Sequence, residues 1–156
     1  MSGSTGLTRG LVALAVLAAV GLAMGLVVSR GGAIPDGPVP IAWDREPCAH
    51  CRMQIGSPRH AAQLVTDTGE VFAFDDVGCA IDFIRRQGPV IHRLWFHGEG
   101  ERWLAREEAA FGDDPMTPMG SGLVAVERGT PGARSWDEVL ASHRHPSAHR
   151  PTGEMR

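Results

Sequence analysis

The chain has 156 residues, room for one domain of about 100 residues with an N-terminal extension and a tail. Its net charge of −3 is uneven: Arg9 and Arg30 give residues 1–30 a charge of +2, and Arg144, Arg150 and Arg156 against Glu154 give residues 143–156 another +2, so residues 31–142 hold −7. That acidity excludes a nucleic-acid binder held by phosphate contacts, and three cysteines are too few, and odd in number, for a disulfide framework.

Residues 11–28, LVALAVLAAVGLAMGLVV, are uncharged and apolar. As a helix this run would span roughly 27 Å, about a bilayer core, and no polar face suggests a buried soluble helix. Residues 1–30 therefore read as a signal anchor or a signal peptide. The absence of a clean A-x-A site favours the uncleaved anchor, a transmembrane helix with the rest exported to the periplasmic, extracytoplasmic side of the cell membrane. Residues 29–47 are rich in Gly and Pro, and the linker is assigned to 31–43.

The domain over 44–142 begins with the segment EPCAHCRMQIG. Residues 61–66 and 71–74 form two apolar runs around a DTGE turn, which predicts a hairpin. Asp75 or Asp76 can cap a helix with Val77, Ala80, Ile81 and Ile84 on its apolar side, ended by Gly88 and Pro89. Residues 90–97 read as a strand, RWLAREEAAF is ambiguous between strand and helix, and residues 122–128 read as a strand. Ser135 and Glu138 form a capping box that opens a short final helix. The fold class is α+β, a small two-layer domain of antiparallel hairpins with two short helices, in two ββα-like halves. Residues 143–156, with His143, His145 and His149, lack an apolar pattern and read as a disordered tail.

The chemistry concentrates at Cys48, His50, Cys51 and Met53. Thiolate and thioether donors are soft and select Cu(I), whereas zinc takes Cys, His and carboxylate. Met53 lies two residues after Cys51, so an extended backbone would point both side chains to one side. Two donors leave Cu(I) under-coordinated, and DDPMTPMGSG offers Met116 and Met119 in a Pro/Gly-rich loop rather than on an apolar face.

CAHCRMQI, AAQLV, FDDVGC, RWLA and TPMGSGLVA, in that order and spacing, resemble the NosL family of copper-binding accessory proteins of nitrous oxide reductase. The resemblance covers about residues 44–142. It implies an exported, membrane-tethered domain that binds one Cu(I) and passes it on without turnover, and so is not an enzyme. Its partner would be a copper-dependent enzyme or the membrane assembly machinery of that enzyme. It also implies Cys51 and Met53 as a ligand pair and Met119 as the later methionine. Two features depart from the family: a candidate helical anchor replaces the acylated cysteine, and FDDVGC carries the additional Cys79. Both point to a side branch, for which a copper oxidase is an alternative recipient.

Several residues keep more than one reading. Cys48 is a further ligand, a disulfide partner of Cys51 or a structural thiol. Cys79 is a small core residue or a thiolate in the first turn of a helix. His50 is a ligand or a spacer, and His60, His92 and His97 are ordinary strand-associated residues. Two other functions compete with copper delivery. A thiol–disulfide oxidoreductase would use the CxxC pair, although Gly56 and Pro58 forbid the long helix such pairs usually precede. A structural zinc domain would use Cys48, Cys51, Cys79 and a histidine, and would leave the methionines unexplained.

Overall fold

The computed structural model describes residues 14–22, 34–98 and 101–144. Residues 14–22 are helical, and the remainder of the apolar run lies outside the described residues. Among the described residues no helix is long and apolar enough to cross a membrane, so the expected transmembrane helix is not found there. Residues 145–156 of the expected tail also lie outside the described residues.

From Ile34 onward the chain forms an α+β unit with two antiparallel sheets. The predicted first hairpin forms as β1 (Ala62–Thr66) and β2 (Val71–Phe74). The predicted helix follows as α1 (Val77–Gln87), and then β3 (Ile91–His97) pairs back along β1. The ambiguous RWLAREEAAF segment resolves into two strands, β4 (Trp103–Ala105) and β5 (Ala109–Asp113), separated by a turn in which Glu108 N–H donates to the Ala105 carbonyl. β6 (Leu123–Glu127) pairs with β5, and α2 (Trp136–Ser142) follows behind its Ser135–Glu138 capping box.

The first sheet has the order β2-β1-β3-β4, and the second is the β5-β6 hairpin. β1 is buried along its whole length because it has strands on both edges and side chains packed over both faces. Its one amide, Gln63, is satisfied by the backbone of Val39, whose N–H donates to Oε1 and whose carbonyl accepts from Nε2. That exchange fastens the Gly/Pro-rich segment to the sheet from Val39 onward, with Ile41 buried behind it. A ββα order occurs twice, as β1-β2-α1 and β5-β6-α2, with β3 and β4 between them extending the first sheet.

The two sheets share an aromatic joint. Phe96 on β3 packs edge-on to Phe111 on β5 at 4.8 Å, and Trp136 of α2 lies 5.0 Å from Phe96 and 5.7 Å from Phe111. At the other end, Phe83 of α1 covers Phe72 and Phe74 of β2 at 4.8 and 5.2 Å. These contacts set α1 and α2 against their hairpins and leave the N-terminal turn of α1 facing the loop between β5 and β6.

Candidate metal centre

The CAHC segment is a tight, closed hairpin rather than the start of a helix. Cys48 N–H donates to the Met53 carbonyl at 2.7 Å, Arg52 N–H returns to the Cys48 carbonyl at 3.1 Å, and Pro47 pairs with Gln54. Ala49 N–H donates to the Ala73 carbonyl on β2, which ties the turn to the sheet edge. Burial of Cys48 and Ile55 anchors it in the core.

Arg52 takes a left-handed conformation, φ 68°, uncommon outside glycine. This reverses the chain between Cys51 and Met53, so the alternation of an extended strand does not apply there. Cys51 turns inward and is half-buried, whereas Met53 is 55 % exposed.

Cys79 arrives from α1, in the first turn. Asp76 caps that helix by accepting from Gly78 N–H at 2.7 Å, which sets Cys79 over the CAHC hairpin. The Sγ atoms of Cys48, Cys51 and Cys79 all lie within 4.8 Å of one another, and all three thiols are free. Three soft donors this close can hold a metal ion.

Their protonation is unequal. Cys79 donates its S–H to Cys48, which lowers the Cys48 pKa despite its burial. The same bond, with burial, pushes Cys79 well above the usual thiol range, and burial raises Cys51. Cys48 is thus the thiol that most readily loses its proton, and Cys51 and Cys79 hold theirs more tightly.

A cavity of about 230 Å³ opens beside the cluster, lined by Cys51, Cys79, Met119, His50, Asp82 and His143 among others. Met119 sits on the loop between β5 and β6, half-buried against the core, and its N–H donates to Asp76 Oδ2 at 3.0 Å. Met116 lies on the same loop, where its N–H is held by Asp114 Oδ1, and the residue is 82 % exposed. The fold thus brings Cys48, Cys51, Cys79 and Met119 to one place, and leaves Met53 and Met116 on the surface.

Three contributors were not legible in sequence as parts of this site. His143, assigned to the tail, is the C-cap of α2 and lines the cavity. Asp82 lies on the buried side of α1, with its Oδ2 4.0 Å from His50 Nε2. Gly78 is the third: a Cβ built there would meet Ser121 Cβ at 2.7 Å and His143 Cε1 at 3.0 Å. The small residue next to Cys79 was the available signal for that close approach. Comparisons of the chain with protein-family models, with curated proteins and with solved structures find no match.

Proposed function

We propose that this centre binds Cu(I) as cargo and that the protein is a metallochaperone, handing the ion to a copper-dependent enzyme by ligand exchange. The observation that carries the reading is the convergence of three thiol sulfurs within 4.8 Å beside a cavity that Met119 lines. An all-sulfur set of this kind is soft, and softness favours Cu(I) over harder divalent ions. It also agrees with the NosL resemblance, with nitrous oxide reductase or a copper oxidase as recipient and an extracytoplasmic membrane location. In this reading Met119 and Cys51 act as ligands with Cys48 and Cys79.

Hand-off by exchange requires that one side of the ion be reachable. Cys48 is fully buried and Cys79 nearly so, whereas Cys51 is half-buried at the cavity. An incoming sulfur donor would therefore approach through the cavity and displace Cys51 or Met119 first. The two buried thiols would retain the ion until that exchange.

A second reading, a Cys3His zinc site, is favoured by the imidazoles of His50 and His143 in the same cavity lining. One experiment separates the two. The chain is titrated anaerobically with Cu(I) against a competing chelator and, separately, with Zn(II), for the wild type and for Cys79→Ser, Met119→Leu and His50→Ala. The copper reading expects loss of Cu(I) affinity in Cys79→Ser and weakening in Met119→Leu. Cu(I) affinity indifferent to both, with zinc retention lost in His50→Ala, would establish the zinc site instead.

A further inference from the structure

Asp76 is fully buried, and each of its carboxylate oxygens accepts from a different part of the chain. Oδ1 takes Gly78 N–H at 2.7 Å, the ordinary capping bond of α1. Oδ2 takes Met119 N–H at 3.0 Å, from a loop 43 residues away. A helix cap needs only one acceptor, which Ser or Asn supplies equally well, so the second bond is not explained by helix capping. A buried carboxylate needs further donors, and the N-terminal dipole of α1 with these two amides supplies them.

The two amides belong to the two segments that must meet at the centre. Gly78 precedes Cys79, and Met119 lines the same cavity as Cys79. The rest of the Met119 loop is closed on itself: Gly120 N–H and Gly122 N–H both donate to Thr117, and Asp114 N–H donates to the Gly122 carbonyl. The Asp76 bond therefore acts on a compact loop and sets its position as a unit. The preceding residue works on the third segment, since Asp75 Oδ1 accepts from Gly56 N–H at the end of the CAHC hairpin.

We propose that Asp76 is the positioning residue of the centre: its carboxylate holds the Cys79 turn and the Met119 loop in one register, and so keeps the thioether against the thiols. This rests on the copper reading for its functional consequence, but its structural half can be measured without metal. Asp76→Ser keeps the helix cap and cannot also reach Met119, while Asp76→Asn keeps the volume and sets an amide N–H₂ against one of the two donors.

The test begins with residue-resolved amide hydrogen exchange on the metal-free chain, with circular dichroism to confirm that α1 is retained. Protection at Met119 is expected to fall about ten-fold or more in both variants while the β1 amides keep theirs. Cu(I) titration against a chelator is then run as a cycle with Met119→Leu. Asp76→Ser should weaken Cu(I) retention about ten-fold alone, and add nothing in the Met119→Leu background. Unchanged protection at Met119, or a loss of affinity that adds fully to that of Met119→Leu, overturns the positioning role. Should Asp76→Ser unfold, Asp76→Asn gives the same two readings at constant volume, its Oδ1 keeping the Gly78 cap and its N–H₂ facing Met119 N–H. Failure of the wild-type chain to bind Cu(I) would instead remove the copper reading and Met119 as a ligand, a result distinct from unchanged Met119 protection.

Discussion

Arg85 Nη1 donates to the His143 carbonyl at 2.7 Å, which fastens the last turn of α1 to the end of α2. A second bond runs from Arg85 Nη2 to the Leu140 carbonyl. α2 has no basic residue in its own last turn, so the charge that complements its C-terminal dipole comes from another helix. Because His143 lines the thiol cavity, this clamp also sets one wall of the site.

Arg85→Met should keep the apolar stem and lose both bonds, costing about 1 kcal/mol in urea denaturation at this exposed position. Arg85→Lys should recover only part, because one ammonium lacks the fork that meets two carbonyls at once. Equal stability of all three proteins would mean the clamp contributes nothing.

Gly78→Ala should destabilise by about 1–3 kcal/mol, as overpacking does. In an unencumbered helix the same change would stabilise by up to about 1 kcal/mol, so the sign of the effect is the test. The new methyl would press on Ser121 and His143, both at the cavity, and thermal denaturation would read the result.

Phe96→Ala should cost about 3–5 kcal/mol, because the ring fills the joint between β3, β5 and α2 and its loss leaves a cavity. The near-ultraviolet dichroism of Trp136 should collapse with it. A loss below about 1 kcal/mol would show that the two sheets are not joined there.

Stability should fall with acidification in the range where histidine titrates. His97 is buried, with Trp43 and Trp103 edge-on at 6.1 and 5.0 Å, and burial lowers its pKa below the ordinary 6.5, against smaller opposing pulls from the Gly98 backbone and then Glu101. Between the lowered folded value and 6.5 the unfolded chain binds more protons, so stability is fully present above 6.5 and lost as pH drops through that window. His97→Phe should flatten the dependence of Tm on pH; an unchanged slope would assign it to other groups.

Cu(I) affinity should rise with pH across neutrality. Of the three thiols, Cys51 and Cys79 have raised pKa values and must shed protons for the ion, whereas Cys48 is held low by the Cys79 S–H. Proton release measured in weakly buffered titrations should exceed one per ion, roughly two. Release of none would mean that Cys51 and Cys79 do not ligate as thiolates.

The local devices of this fold were readable from residues near in sequence. Asp76 and Gly88 bracket α1, Ser135 and Glu138 open α2, and DTGE turns the first hairpin, because caps and turns satisfy backbone groups within a few residues. RWLAREEAAF was ambiguous for the opposite reason: β4 and β5 belong to different sheets, so partners distant in sequence decide their state.

The soft, sulfur-rich character of the site was also determined by sequence alone, since donor chemistry belongs to the residue types themselves. Which sulfurs converge was decided only by the tertiary structure. Spacing made Cys51 and Met53 a pair, but the left-handed Arg52 turns Met53 outward. Packing of α1 against the CAHC hairpin draws in Cys79, and one buried carboxylate holds Met119 beside it. Convergence of the sulfurs depends on φ at a single turn residue and on contacts across tens of residues. Neither has a local period or cap to announce it.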